Sequence, residues 1–113
     1  MKRGDEGLRM CIFVHESLRH DHKPLYEALV ESARREGLAS ATVIRGIEGF
    51  GLHRHLHASR LIDISDDLPI IVEIVDTDGA IRRFLRLLDD LIPHGTVTLS
   101  PVRIYTYGQE ATR

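Results

Sequence analysis

The sequence predicts one domain of the α+β class, in which two helices cover one face of a four-stranded antiparallel sheet. Two observations lead to this prediction. Four short apolar runs have the length and composition of strands, and two longer segments repeat apolar residues at helical spacing. Taken in order along the chain, these segments read β-α-β-β-α-β.

The first strand is predicted over Leu8–Val14, an apolar run whose only charge is Arg9. A polar connection follows, in which Asp21 is expected to cap a helix. Pro24 fits the first turn of that helix, because the N–H that proline lacks would be unpaired there. The apolar positions recur at helical spacing: Leu25, Leu29, Val30 and Ala33. Gly37 is expected to end the helix.

The second strand is predicted over Ala39–Ile47, and the connection after it is unusually long. It spans residues 48–68, or about twenty residues, which is uncommon inside a compact domain and is usually functional or disordered. It opens with Gly49-Phe50-Gly51, where the glycines allow the backbone to approach a ligand closely. We therefore expect the function to depend on this connection.

The second half of the chain repeats the pattern. Pro69–Val75 is the third predicted strand, and Asp76-Thr77-Asp78 supplies capping side chains for a second helix. The helix has one apolar stripe: Ile81, Phe84, Leu85, Leu88 and Leu91. Pro93 and Gly95 are expected to end it. Thr96–Tyr107 is the fourth predicted strand, in which Pro101 indicates a bulge or an edge position.

This order is the split βαβ arrangement of the ferredoxin-like fold. Both faces of the predicted sheet carry aliphatic side chains, since Ile71 and Val75 alternate with Ile70, Val72 and Ile74. The fourth strand adds the aliphatic residues Val102 and Ile104. A second apolar face without helix cover favours association with other subunits.

Composition narrows the function classes. The 113 residues include 28% charged and 42% hydrophobic residues, which is typical of a globular domain, and the net charge of −2 gives no basic field for nucleic acid. Cys11 is expected to be a buried structural thiol. No apolar stretch approaches membrane-spanning length, so a cytoplasmic location is expected. We expect residues 1–7 to be flexible and residues 108–113 to form a tail.

From Leu8 to about Gly108 the chain resembles the PII-like proteins, the superfamily of the nitrogen regulatory protein PII, in a branch of unknown function. The resemblance is carried by the element order, by Gly49-Phe50-Gly51 at the end of the second strand and by Ser65-Asp66-Asp67-Leu68-Pro69 before the third. The Gly95 turn after the second helix also fits.

The resemblance implies a homotrimer that packs its sheets inward and has no catalytic activity of its own. It implies that a small effector, such as an adenine nucleotide, binds between adjacent subunits and changes the loop after the second strand, called the T-loop in PII. That loop would regulate a target such as a membrane transporter or channel. The implied ligand-binding residues are Gly49, Phe50, Gly51, Gly95, Thr96 and Arg103.

Two features of the sequence bear on the charge of this ligand. The chain has Thr96 where PII proteins have a lysine. PII proteins have a second lysine in the loop, where this chain has leucine and histidines. The ligand is therefore left open between a triphosphate and a less charged molecule, such as a monophosphate or a cyclic nucleotide. Arg45 adds a further candidate for ligand binding beside the loop, because guanidinium groups bind phosphate with paired hydrogen bonds.

The loop also contains His53, His55 and His57 at alternating positions. In an extended segment these side chains point the same way, and imidazoles are good ligands for zinc, copper or nickel. The alternative function is therefore a metal-binding trimer like the CutA proteins. A third reading, a small enzyme, is the weakest. Ser17, His20 and Asp21 are adjacent in sequence, whereas catalytic triads are recognised by geometry.

Overall fold

The computed structural model describes residues 4–49, 57–58 and 67–108. Its elements in this part of the chain are β1 (Asp5–His15), β2 (Arg19–His20), β3 (Lys23–Pro24), α1 (Leu25–Arg35), β4 (Thr42–Arg45), β5 (Glu48–Gly49), β6 (His57–Ala58), β7 (Pro69–Asp76), α2 (Asp78–Leu91) and β8 (Thr96–Ile104). The main sheet has the order β4-β7-β1-β8, and every neighbouring pair is antiparallel. This confirms the predicted ferredoxin-like α+β fold.

The hydrophobic core lies between the main sheet and the two helices. Alternate strand residues supply the sheet side of it: Leu8, Met10, Ile12 and Val14 from β1, and Ile70, Val72 and Ile74 from β7. The residues between them on β7, such as Ile71 and Val75, are half-buried on the opposite face, as the sequence predicted. From α2, Ile81, Phe84 and Leu88 are buried against this core, so the predicted stripe is confirmed.

The start of α1 differs from the prediction. Asp21 does not cap this helix, whose N-cap is Pro24 without a side-chain hydrogen bond. Instead, Asp21 (φ 49°) and His22 (φ 68°) form the two-residue turn between β2 and β3, in which Arg19 pairs with Pro24. Aspartate and histidine tolerate this left-handed conformation better than most residues, and a tight hairpin requires it at both central positions.

The end of α1 follows the prediction at Gly37. This glycine has φ +78°, and its N–H donates to the Arg34 carbonyl at 3.1 Å, while the Leu38 N–H donates to the Ala33 carbonyl at 3.0 Å. These two bonds form a Schellman motif, which satisfies carbonyl groups at the end of a helix. A left-handed residue is needed there, so glycine is favoured.

The start of α2 is built around a buried carboxylate. Asp76, the last residue of β7, is fully buried, and its Oδ2 accepts a hydrogen bond from the Ala39 N–H at 2.8 Å. Its Oδ1 accepts from the Thr77 N–H. Thr77 is the N-cap of α2, and its hydroxyl accepts from the Ala80 N–H at 3.3 Å. Asp76 therefore ties the segment before β4 to the start of α2.

Several strand limits differ from those predicted. β1 begins at Asp5, so residues 5–7, which were predicted to be flexible, belong to the sheet. β4 is limited to Thr42–Arg45, and β8 ends at Ile104. Pro101 lies on the edge strand β8, where the register with β1 is unbroken, so the edge prediction is confirmed and the bulge is absent. Cys11 is buried, as predicted.

Candidate functional site

The predicted ligand-binding residues that the structure describes lie at two opposite ends of the sheet. Thr96 pairs with Phe13, which also pairs with Ile71, and Ile71 pairs with Ile44. Gly95, Thr96 and Arg45 therefore share one end. Arg103 lies seven residues further along β8, which corresponds to roughly 23 Å of extended strand. One subunit therefore does not bring Arg103 together with Gly95 and Thr96.

The two described glycines of the predicted site pack closely against neighbouring strands. A Cβ at Gly95 would lie 2.8 Å from the Phe13 carbonyl oxygen and 3.1 Å from Val14 Cγ1. Gly49 lies beside Pro69, where an added Cβ would be 3.4 Å from the ring. Gly95 thus has a structural reason to be glycine, since any side chain would collide with the β1 backbone. Thr96, the next residue, is exposed.

Arg45 is held by a carboxylate. Its guanidinium group pairs with Glu16, the first residue after β1, and the Arg45 side chain remains 55% exposed. A guanidinium that is more than half exposed can still reach a ligand. The pairing joins the start of the long connection to the end of β1.

The other end of the connection is attached to the same turn. Ser17 Oγ donates to Asp67 Oδ1 at 2.7 Å, and the Ser17 N–H donates to the same oxygen at 3.2 Å. The Glu16 N–H donates to the Leu68 carbonyl at 2.8 Å. We call Glu16, Ser17, Arg45 and Asp67 the loop anchor, because they fasten both ends of the connection to the end of β1.

Removing one contact of the loop anchor is expected to expose the connection to protease. In Asp67→Ala, Ser17 loses its acceptor, and we expect trypsin to cut after Arg54 and Arg60 several-fold faster, with peptides quantified by mass spectrometry. Glu31→Ala is the matched control, since it breaks an exposed ion pair with Lys23 outside the anchor. Equal cleavage rates in the two variants would contradict a role for the anchor in holding the connection.

Arg103 lies in a groove at the opposite end of the sheet. This groove has a volume of about 560 Å³ and is lined by the start of β1, the end of β8 and the first turns of α2. Four charged side chains line it: Glu6, Asp78, Arg82 and Arg103. Arg82 Nε donates to Asp78 Oδ1 at 2.8 Å. Glu6 is the register partner of Arg103, yet within the described ranges neither residue forms an ion pair.

The sheet face opposite the helices carries an apolar row at the end near Thr96. Ile44, Ile71 and Phe13 are neighbours across three strands, and Phe13 and Ile44 are 40% and 46% exposed. Beyond this row, Arg9 forms a 2.8 Å ion pair with Glu73, and that hydrogen bond raises the pKa of the Arg9 guanidinium. We call this surface the open sheet face. No helix of the described chain covers it.

The remaining predicted site residues cannot be placed. Phe50, Gly51, His53 and His55 lie outside the described residues, and for His57 only the backbone is described, in β6 opposite Gly49. The metal site therefore stays a prediction. Elsewhere in the described ranges, no group of three or more His, Cys, Asp or Glu residues is arranged to hold a metal ion. Ser17 bonds to Asp67 rather than to His20, so the adjacent triad residues do not form a catalytic set.

Sequence reasoning missed the acidic partners of the loop anchor and the charged lining of the groove. Glu16 and Arg45 are 29 residues apart, and Ser17 and Asp67 are 50 residues apart. No local periodicity links positions so distant, so their pairing follows only from the strand order.

The split βαβ topology, with a long connection after the second strand of the main sheet, is the fold of solved PII-like proteins. The protein CPII from Thiomonas intermedia K12, solved with ADP, AMP and bicarbonate bound, superimposes with a TM-score of 0.65 at 15% identity. That match covers 90% of this chain and 91% of CPII. A protein of Thermus thermophilus described as a PII-like signaling protein gives 0.54 at 25% identity over 90% and 92% of the two chains.

The chain belongs to the family DUF190, described as "Uncharacterized ACR, COG1993", whose match covers residues 7–104. Two relatives support this assignment. A UPF0166 protein of Aquifex aeolicus is 36% identical over 82% of this chain and 88% of its own length. The UPF0166 protein MJ1524 of Methanocaldococcus jannaschii is 30% identical over 83% and 87%. Among the described residues, neither helix is long and apolar enough to cross a membrane.

Proposed function

We propose that this protein is a cytoplasmic, homotrimeric regulator without catalytic activity, which binds an adenine nucleotide between adjacent subunits. The fold is that of CPII, a protein solved with ADP and AMP bound. The predicted contacts on one side of the ligand are Gly49, Phe50, Gly51, Gly95 and Thr96, with Arg45 nearby. On the other side, Arg103 of the neighbouring subunit contacts the phosphate.

The observation that carries this proposal is the separation of the predicted residues within one subunit. Thr96 and Arg103 are roughly 23 Å apart along an extended strand. A nucleotide cannot contact both in one chain, whereas a cleft between two copies can take one end from each. The apolar row of Phe13, Ile44 and Ile71, in which Phe13 and Ile44 are exposed, gives these copies a surface to bury.

The regulatory output is assigned to the connection. The loop anchor holds its two ends beside the residues predicted to touch the ligand. A nucleotide that favours one conformation of the segment between them would shift its population, and the segment would then engage or release a target. By the PII resemblance, that target is a membrane transporter or channel.

Nucleotide binding is expected to be saturable at about one ligand per subunit and to depend on Arg103. We expect Arg103→Ala to weaken ADP binding at least about tenfold, because a charge-assisted hydrogen bond to phosphate is lost. The measurement is titration calorimetry of the metal-stripped protein with ATP, ADP, AMP and cyclic AMP, with and without magnesium. Arg86→Ala is the matched control, since Arg86 is exposed on α2 and does not line the groove.

Thermal unfolding with each nucleotide supplies a second readout, because a ligand that binds only the folded state raises the unfolding temperature. Neither heat nor a thermal shift with any nucleotide would contradict the proposal. Zinc, copper and nickel would then be titrated against wild type and a variant with His53, His55 and His57 changed to alanine. Metal uptake that this variant loses would support the alternative function.

A further inference from the structure

The charged lining of the Arg103 groove contains a second arginine that the proposed nucleotide site does not use. Arg82 lies in the second turn of α2 and lines the same groove as Arg103. Its ion-pair partner is Asp78, one turn earlier on the same helix. The groove therefore holds two guanidinium groups and two carboxylates, with no net charge.

The ion pair between Arg82 and Asp78 is weak enough for Arg82 to exchange Asp78 for another anion. Both side chains are more than half exposed, at 55% and 62%, and exposed pairs at this helical spacing contribute little stability. A phosphate group carries more charge than a carboxylate and accepts paired hydrogen bonds from a guanidinium fork. A phosphate that enters the groove thus competes well with Asp78 for Arg82.

We propose that Arg82 is a second phosphate-binding residue of this groove and that it exchanges Asp78 for the phosphate chain of a nucleoside diphosphate. This inference rests on the proposed function. Arg103 would hold one phosphate from β8, and Arg82 would hold the other from α2. Asp78 opposes binding, since its carboxylate competes for Arg82 and repels the ligand.

The test is a double-mutant cycle with ADP as the probe. Arg82→Ala is expected to weaken ADP binding about tenfold, and Arg86→Ala, the same change one turn further along α2, should leave it nearly unaltered. Asp78→Asn is expected to tighten ADP binding two- to threefold, and this gain should vanish in the double variant with Arg82→Ala. Adenosine, which lacks phosphate, should bind all of these variants like wild type.

Each outcome decides between the proposals. If wild type binds ADP and Arg82→Ala behaves like Arg86→Ala, the exchange is wrong and the nucleotide site stands. Equal losses for adenosine and ADP would make Arg82 a structural residue and overturn the exchange. Absence of ADP binding to wild type would overturn both. Arg82→Gln, which keeps much of the stem, repeats the test if the alanine variant folds poorly, as judged by circular dichroism.

Discussion

Replacing Asp76 with alanine is expected to lower the free energy of unfolding by about 3 kcal/mol. The carboxylate is fully buried and accepts hydrogen bonds from the Ala39 and Thr77 N–H groups. Alanine would remove both acceptors and leave the Ala39 N–H without this partner at the start of the segment that leads to β4. Hydrogen bonds to a charged acceptor contribute about 1.5–3 kcal/mol each.

Urea unfolding followed by circular dichroism measures this effect. Asp89→Ala is the matched control, because Asp89 is exposed in the last turn of α2, and its loss should change stability by less than about 0.5 kcal/mol. Asp76→Asn keeps one acceptor oxygen, so its loss of unfolding free energy should lie between the losses of Asp76→Ala and Asp89→Ala. A loss below about 1 kcal/mol in Asp76→Ala would contradict the structural role assigned to this carboxylate.

The second large effect is expected at the open sheet face, where Ile71→Asp should convert the proposed trimer to a monomer. Ile71 is half-buried in a single subunit and lies between Phe13 and Ile44, so a subunit packed against this row would bury the new carboxylate. An unpaired buried charge costs several kcal/mol, which is enough to abolish association at micromolar concentration.

Sedimentation velocity of wild type and variant at matched concentrations measures the assembly. Leu87→Asp is the control, because Leu87 is an exposed hydrophobic residue, 38% exposed, on α2 instead of the sheet. It should leave the assembly intact. A wild-type monomer would contradict the trimer itself. An Ile71→Asp variant that still sediments as a trimer would place the interface elsewhere.

The element order could be predicted because buried residues recur at regular spacing along the chain, at every second position in a strand and about every third or fourth position in a helix. The alternation in β7 and the apolar stripe of α2 are properties of one face packing against a common core. The helix-capping role of Asp21 was predicted wrongly, because aspartate suits both a helix cap and a left-handed turn. The pairing of Arg19 with Pro24 decides between these roles, and residue type alone does not reveal it.

The start of β1 was missed for a related reason. Asp5, Glu6 and Gly7 are polar or small, so they give no strand signal, yet they pair with the end of β8. At the candidate site, Arg103 came from the family resemblance, whereas Asp78 had been predicted only as a helix-capping residue and nothing had been predicted for Arg82. Their shared groove exists because β8 ends beside the start of α2, which is a property of the tertiary fold.

The loop anchor has a consequence for how proteins of this shape diversify. Its contacts fasten both ends of the connection to one turn, and none of these contacts uses a residue between 50 and 66. Lengthening such a tether is cheap, since each doubling adds only about 0.6 kcal/mol of closure entropy. The segment can thus be replaced by segments of other length and sequence. One scaffold can then carry many recognition sequences while the sheet and helices stay unaltered.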